Sequence, residues 1–595
     1  MSKKGKEGSE KRRSKGHSRQ KRPSSGPSKE GWSSRIGVIL AVSGSAVGIG
    51  NFLRFPGQVA EFGGGAFMIA YFTAFLLLGL PMCWAEWTVG RYGGRRGFNS
   101  IPGIMTSISK HPIAKYIGCI SMLLPTIVFM YIICIQGWCM AYALNILSGS
   151  EAFEAKASSE AFFSSLTGAA ANGAALGFGL DKLAGYVLVA FLFNFILLYR
   201  GLAKGIELFC KFAMPTLVII ALILLVRVLT LGTPDLAHPE RNISNGLGFL
   251  WNPEKIILEE ASSTDIGTWE LKEELVGKMA LEHAQEKVEQ APETLRIQTI
   301  SAWEQLKKPR LWLAACGQIF FSLTVGFGVI ATYSSYLSKK DDIVLSGLSA
   351  TSANEFCEVA LGGLITIPAA VTFLGVTSIA SDTSLFSLGF KALPLVFSSM
   401  PGGTFFGFIF FLLLSLACTS GCLAALQPAI AFLEESLNLK RKPAVTILGL
   451  IAGMGSFFVL YFSHQIKALD TLDFWVGTFL IFIMGFVYSI LFGWVLGIDK
   501  GFEEAHMGAS FRIPNIFKAI IRYVCPLILI TIFVLWILLD VLCIGSGPID
   551  HHITDLIGNK EKGIPPNSVA LLSVGFIGAL GVFFCLIAKR SSKYR

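Results

Sequence analysis

The chain has 595 residues, of which 53% are hydrophobic and 15% are charged, with a formal net charge of +10. A soluble protein of this size carries about 25% charged residues. The composition therefore excludes an ordinary soluble protein and predicts an all-α polytopic membrane protein.

The chain begins with a basic tail at residues 1–30, where eleven Lys or Arg and three Glu lie among Ser, Gly and Pro. Such a segment has too few apolar residues to build a core, so we expect it to be disordered. Its charge favours the cytoplasmic side of a membrane, near anionic lipid. We expect no cleavable signal peptide and no nucleic-acid partner.

The first apolar segment, Arg35–Pro56, is interrupted by Gly44, Gly48 and Gly50. Unwound backbone is tolerated in a membrane only where protein buries it or where it lines a cavity. The pattern Val-Gly-x-Gly at 47–50 recurs at 325–328. Two glycine-interrupted segments in corresponding places predict a transporter binding site.

Hydropathy predicts twelve spans with both termini in the cytoplasm, because Lys and Arg cluster after the even-numbered spans. The predicted spans are about 36–59, 66–90, 114–147, 183–200, 206–230, 312–337, 354–379, 402–436, 443–463, 471–494, 517–545 and 567–588.

Two large loops are expected on the outer side, at 148–182 and 231–311. In the second loop, apolar residues recur at helical spacing and predict one or two amphipathic helices over the outer face. This helical insertion fits either a packed surface element or a contact for a partner. The apolar residues are Leu271, Leu275, Met279, Ala280, Leu281, Ala284 and Val288.

Charged side chains at bilayer depth are costly and are normally paired or functional. Arg54 and Asp473 are predicted to meet across a cavity mouth, whereas Glu86 and Glu358 lie within spans. Neutral oxygen donors favour a monovalent cation over a multivalent metal; they are Asn51, Ser322, Asn354 and Ser420. Neither the twelve cysteines nor the adjacent His551 and His552 form a metal-binding or catalytic pattern, so we expect no enzyme.

Several long motifs identify the chain as resembling the neurotransmitter:sodium symporters. They are WSSRIGVILAVSGSAVGIGNFLRFPGQVAEFGGGAFMIAY, GQIFFSLTVGFGVIATYSSYLSKKDDIVLSGLSATSANEF, LQPAIAFLEESLNL and LDFWVGTF, and the similarity extends from about residue 32 to 590. The resemblance implies two five-helix inverted repeats with broken first and sixth helices. The implied organisation is a tail at 1–30, repeats at 31–230 and 312–495, the loop at 231–311, and peripheral helices eleven and twelve at 496–595.

The resemblance also implies the site residues, position by position. An amino acid would bind Ser45, Ala46, Gly48, Gly50, Val128, Ile132, Phe321, Ser322, Thr324, Phe327, Gly421 and Ala425. A first sodium ion would bind Ala46, Asn51, Ser322 and Asn354, and a second would bind Gly44, Val47, Ala417 and Ser420.

Gates and chloride are implied in the same way. Arg54 and Asp473 would form the outer gate, and Lys29 and Glu435 the inner gate. Glu358 would replace chloride, because chloride-dependent members have a neutral residue there. Tyr71, Gln318 and Ser322 would surround it.

Two positions depart from the family pattern. Gly421 replaces a second hydroxyl that many members place beside the second sodium ion, which weakens that site. Ile132 stands where the family has a tyrosine that holds the substrate carboxylate. Either local helix geometry turns the adjacent Tyr131 inward, or the carboxylate is held differently.

The sequence therefore predicts a sodium-coupled importer of a neutral, hydrophobic amino acid that works by alternating access without chloride. Two sodium ions are the expected cofactors, and the amino acid and the lipid of the plasma (inner) membrane are the expected partners. Two alternatives remain open: a symporter for another small carboxylated or amine solute, and a transporter-like receptor without net flux.

Overall fold

The computed structural model describes residues 31–149, 153, 155–177, 179, 181–236, 238–261, 269–376, 379, 388–544, 549–558 and 563–594. The basic tail lies outside these residues. Long apolar helices make up most of the described chain, which confirms the predicted class of helical membrane protein.

The first half contains helices α1 to α9. In chain order they are Arg35–Ala46, Gly50–Glu61, Gly65–Gly94, Ile101–Ile108, Ala114–Leu147, Lys156–Thr167, Leu183–Tyr199, Leu202–Leu229 and Ile243–Trp251. An insertion follows, with β1 at Lys255–Ala261, β2 at Trp269–Leu275, α10 at Lys278–Gln290 and β3 at Leu295–Ile300.

The second half contains helices α11 to α22. They are Ala302–Leu306, Pro309–Ser322, Val329–Ser334, Ile343–Leu374, Leu388–Ser399, Gly403–Ser436, Arg441–Tyr461, His464–Val495, Ile498–His506, Ile516–Val541, His551–Ile557 and Ser568–Arg590.

Within the described residues, nine helices are long and apolar enough to cross a bilayer, and the bent pair α1 and α2 makes a tenth span. Helix α7 has 17 residues and α12 has 14, which is short of the roughly 20 that a straight span needs. The count of twelve spans stays a prediction.

Helix α14 begins earlier than the sequence predicts, at Ile343 instead of residue 354. Asp342 explains the early start, because its carboxylate accepts a hydrogen bond of 2.9 Å from the N–H of Leu345 and caps the helix. The polar residues that follow are small, and the bundle buries many of them, so hydropathy alone missed the first turns.

The core of the bundle is built around α5 and α16, two helices of 34 residues that pack along each other. In an apolar stretch of 18 residues in each of these two helices, 78% of the residues are buried. In α20 and in α22 the corresponding share is only 28%. Most of the large apolar side chains that α20 and α22 expose are Leu, Ile and Val, with Tyr523 and Phe583 among them, which suits a position at the lipid boundary.

The insertion is a three-stranded antiparallel sheet with one helix, whereas the sequence predicted only helices there. Strand order is β2-β1-β3, and Leu271 and Leu275 lie in β2. The helix α10 contains Met279, Ala280, Leu281, Ala284 and Val288, as predicted. Positions four apart share a face in strands as well as in helices, so the spacing of the two leucines could not separate the two structures.

Candidate functional site

The first broken helix unwinds between α1, which ends at Ala46, and α2, which begins at Gly50. The two halves are bent by 47°. The N–H of Gly48 turns to the side chain of Asn51 and donates to its Oδ1 at 2.8 Å. The last carbonyls of α1 are therefore released from helical hydrogen bonding and are free to bind a cation or an ammonium group.

The second broken helix unwinds between Ser322, where α12 ends, and Val329, where α13 begins. Its backbone has positive φ at Thr324, Gly326 and Gly328. Glycine takes this conformation without steric cost, which explains two of the three positions in this motif.

Glu86 holds the second break in place. The N–H of Gly326 donates to its carboxylate at 2.5 Å, and the hydroxyl of Ser121 donates to the carbonyl oxygen of Gly326 at 3.0 Å. The sequence identified Glu86 as a charged residue within a predicted span but indicated no role for it. The structure makes it the acceptor for a backbone amide that the broken helix cannot satisfy.

A cavity of about 70 Å³ lies where the two breaks meet. All twelve residues predicted to bind substrate line this cavity. Asn51 and Ala417, predicted sodium ligands, also line it, as do seven residues that the sequence did not single out: Ile49, Pro125, Phe129, Val329, Cys418, Cys422 and Ala424. Its walls are apolar, and its polar groups lie along the unwound backbone, at Asn51 and at three hydroxyls.

The Phe321 ring, which lines the cavity and which we call its lid, lies beside Gly477, as does the Tyr131 hydroxyl. A Cβ atom added to Gly477 would lie 3.2 Å from the Tyr131 hydroxyl and 3.4 Å from the Phe321 ring. The Tyr131 hydroxyl donates to Asp473 at 2.7 Å. Ile132 lines the cavity itself. The Tyr131 hydroxyl therefore lies near the lid, and Ile132 lines the wall of the cavity.

Above the lid lies an open vestibule of about 760 Å³, which Arg54 and Asp473 both line. The structure does not show the direct ion pair predicted between them. The Arg54 guanidinium stacks over the Phe321 ring at 4.3 Å and donates to the Thr478 hydroxyl at 3.3 Å. Asp473 is engaged by Tyr131, so each charge has another partner.

Three predicted ligands of the first sodium ion, namely Asn51, Ser322 and Asn354, lie together with Glu358. Asn51 Nδ2 donates to Asn354 Oδ1 at 2.9 Å, and Asn354 Nδ2 donates to Ser322 Oγ at 2.7 Å. The Ser322 hydroxyl in turn donates to the Glu358 carboxylate. Asn51, Asn354 and Glu358 are completely buried, so a carboxyl group lies beside neutral oxygen ligands inside the bundle.

Glu358 lies in a π-helical stretch of α14, Phe356–Gly363, a departure from regular helix that often marks functional sites. Gln318 Nε2 donates to its carboxylate at 2.5 Å. Tyr71 donates at 2.8 Å to a second acid, Glu355, which the sequence did not single out. Two carboxylates therefore share the pocket in which the resemblance places chloride.

The residues of the predicted second sodium site also face each other across two helices. A Cβ atom added to Gly44 of α1 would lie 3.3 Å from the Cβ of Ser420 in α16. The Ser420 hydroxyl donates to the Ala417 carbonyl at 2.9 Å. Val47 follows α1 with extended backbone, so its carbonyl points away from the helical path.

The side of the protein opposite the vestibule is closed by the residues before α1. Trp32 Nε1 donates to the Tyr333 carbonyl at 3.0 Å, and the two rings meet edge to face. The N–H of Ser33 donates to Glu207 at 2.7 Å, and Arg35 lies 3.5 Å from Asp342. The sequence missed Glu207 and Asp342, whose partners are distant in the chain.

Glu435 also lies on the closed side. Its carboxylate accepts from the N–H of Asn99 at 2.8 Å and from the hydroxyl of Ser100 at 2.7 Å, which secures the start of α4. Lys29, its predicted partner in the inner gate, falls outside the described residues, so that pair stays a prediction.

The vestibule wall contains the adjacent residues His551 and His552. The nearby Asp470 carboxylate raises the pKa of His551 above its usual value. Burial lowers the pKa of His552 to about 3, so this imidazole is neutral at physiological pH. Asp470 completes a group of three polar side chains with the two histidines, a grouping that the sequence did not indicate.

A helical bundle with two facing breaks, an apolar cavity between them and a vestibule on one side has the architecture of a secondary transporter, not of an enzyme. The chain belongs to the sodium:neurotransmitter symporter family, whose model matches residues 29–165 and 288–541. Sodium-dependent transport across a membrane is therefore the established class.

Individual proteins agree with this family. An uncharacterized sodium-dependent transporter of Haemophilus influenzae is 26% identical over 84% of this chain and 97% of its own length. One from Methanocaldococcus jannaschii is 25% identical over 84% of this chain and 89% of its own. The solved structure of MhsT in complex with L-phenylalanine has a TM-score of 0.66 and 24% identity, covering 85% of this chain and 99% of that one.

Proposed function

We propose that this protein is a sodium-coupled symporter that imports a neutral, hydrophobic amino acid by alternating access. The cavity carries the argument, because its walls are apolar and no charged side chain of the described residues lines it. The unwound backbone offers amides and carbonyls at one end, which suit a zwitterionic head group, while the apolar walls suit an uncharged side chain. The complex of MhsT with L-phenylalanine supports the same class of substrate.

Gly48 favours an amino acid over a simple amine. The cavity has no acidic side chain to neutralise an ammonium group. A zwitterion needs none, because its carboxylate supplies the negative charge and a sodium ion at Asn51 and Ser322 would meet that carboxylate. This shared contact couples the binding of the solute to the binding of the ion.

Two sodium ions are proposed. The first would bind Ala46, Asn51, Ser322 and Asn354 together with the substrate carboxylate. The second would bind carbonyls of Gly44, Val47 and Ala417 and the hydroxyl of Ser420. Gly421, beside Ser420, offers no hydroxyl, so the second ion is expected to bind with lower affinity.

We propose that transport does not require chloride, with Glu358 supplying the negative charge. Its carboxylate is buried and accepts hydrogen bonds from Gln318 and Ser322. A buried carboxylate held by two donors occupies the space and the electrostatic role that an anion would otherwise have.

The vestibule would open to the outside and the Trp32 side to the cytoplasm, in a plasma (inner) membrane with both termini cytoplasmic. The distribution of Lys and Arg in the loops supports this orientation.

Amino-acid binding to purified protein tests the proposal. A panel of amino acids is titrated in sodium chloride, sodium gluconate and choline chloride. Binding of a hydrophobic amino acid in both sodium salts, and its loss in choline, is expected. Equal binding in choline would contradict sodium coupling, and binding without exchange in proteoliposomes would indicate a receptor in place of a transporter.

A further inference from the structure

A cluster of three metal-ligating side chains lies in the vestibule, outside the cavity. Asp470 is in the first turns of α18, and His551 and His552 begin α21. His551 Nε2 lies 3.8 Å and His552 Nδ1 lies 3.7 Å from Asp470 Oδ2. One donor atom from each residue falls within 4.8 Å of the others.

His552 provides a second, independent observation. Only 9% of the residue is exposed, yet its Nδ1 has no hydrogen-bond partner among the residues that the structure describes. The ring stacks on Phe474 with centroids 3.8 Å apart, which fixes the direction of this nitrogen toward Asp470. A buried polar atom without a partner is costly and unusual in a folded protein, and here it is aimed at a carboxylate beyond hydrogen-bond reach.

We propose that Asp470, His551 and His552 bind a transition-metal dication of the Zn²⁺ type at the wall of the vestibule. Two imidazole nitrogens and one carboxylate oxygen form a common three-ligand zinc set with an open fourth position. Magnesium and calcium prefer oxygen ligands throughout, so the site selects against them.

Small movements are enough to close the site around an ion. Ligands at about 2.0–2.2 Å from zinc lie closer to one another than these donors do. The His551 side chain is 68% exposed, so it is free to turn inward, whereas His552 is already held by Phe474. The N–H of His552 donates to Asp550 at 2.8 Å, which anchors the backbone of both histidines.

Lys467 competes with the metal for the same carboxylate. Its ammonium group lies 3.3 Å from Asp470 Oδ2 and also contacts Asp555. A bound dication would repel this charge, and Asp555 is in place to keep it. Removal of the Lys467 charge should therefore tighten metal binding.

Binding would connect two parts of the vestibule wall that are far apart in sequence. Asp470 lies one turn before Asp473, which accepts the hydrogen bond of Tyr131 near the lid. A metal ion would therefore fix the outer end of α18 to α21. This consequence rests on the proposed transport function, and the expected effect is slower uptake at micromolar Zn²⁺.

Metal binding is tested on untagged purified protein in detergent, without substrate, by calorimetric titration with ZnCl₂ and with MgCl₂. Saturable binding of one Zn²⁺ and no binding of Mg²⁺ are expected. His551→Ala and Asp470→Asn should weaken Zn²⁺ binding at least tenfold, and Lys467→Gln should tighten it by roughly fivefold. His464→Ala, which removes an exposed histidine of the same helix, should bind as the wild type does.

The proposal is overturned if Zn²⁺ does not bind, or if His551→Ala binds it as the wild type does. Because His551 is exposed, its replacement should leave the melting temperature in EDTA unchanged, which separates loss of a ligand from loss of the fold. Uptake in proteoliposomes with and without Zn²⁺ then measures the effect on transport. Zn²⁺ binding without any transport would contradict the proposed function and leave the metal site standing.

Discussion

Replacing Glu358 with serine should make sodium binding depend on chloride. The carboxylate is completely buried and accepts hydrogen bonds from Gln318, Ser322 and Asn354. Serine removes the charge and leaves a space beside the predicted first sodium site. Chloride can fill that space and restore the negative charge.

The magnitude follows from the distance between the charges. A sodium ion on the Ser322 hydroxyl would lie roughly 5 Å from the carboxylate, which at an effective dielectric constant of 20 gives about 3 kcal/mol. Loss of this attraction corresponds to about a hundredfold weaker sodium binding in a medium without chloride.

The assay measures amino-acid binding against sodium concentration in gluconate and in chloride salts. The Glu358→Ser variant should need about a hundredfold more sodium in gluconate and recover in chloride. Glu86→Gln is the matched control, because it neutralises another completely buried carboxylate, one that contacts Gly326, and should leave chloride independence intact. Unchanged sodium affinity of Glu358→Ser in gluconate would refute the electrostatic argument.

Three further substitutions test other parts of the structure. Gly421→Leu should reduce the affinity for phenylalanine relative to alanine by about 10–200-fold. A Cβ at this position would have no described atom within 4 Å, so the new side chain would fill the cavity. Competition binding of the two amino acids measures the ratio of their affinities. Glu86→Ala should destabilise the protein by about 1–3 kcal/mol, because the Gly326 amide loses its acceptor, whereas Glu86→Gln keeps an oxygen acceptor and should cost less; a thermal shift equal for both would contradict this role. Gly90→Ala should abolish the yield of folded protein in size-exclusion chromatography, because its Cβ would lie 2.0 Å from Ser334 Oγ and 2.2 Å from the Ala331 carbonyl oxygen. The control Gly185→Ala, whose Cβ would have no described atom within 4 Å, should fold normally. Equal yields of the two variants would argue against tight packing at Gly90.

The broken helices were predictable because their cause is local. Gly326 and Gly328 adopt positive φ in the structure, the conformation that glycine tolerates and that a regular helix excludes. The residues around the cavity followed from the resemblance, since the motifs that carry it are the same segments that unwind. The glycine motifs that break the helices therefore lie in the same segments that supply residues to the cavity.

Other features depend on contacts between distant residues. Nothing near Glu86 in sequence indicates that it accepts from Gly326, and His551 gives no sign of Asp470. The direction of Tyr131 depends on the packing of α5 against α18, which puts its hydroxyl on Asp473. Leu271 fits a helix and a strand equally well, and pairing of β2 with β1 decided between them.

The two breaks differ in how firmly the surrounding helices hold them. The second is fixed from two sides, by Glu86 on α3 and Ser121 on α5, which bind both backbone groups of Gly326. At the first, the N–H of Gly48 is held by Asn51, three residues along the same chain. Asn51 in turn donates to Asn354 of α14, so the first break is tied to a neighbouring helix only indirectly, through one side chain. The first break is therefore the softer hinge, and exchange of the Gly48 amide with deuterium should be faster than exchange of the Gly326 amide.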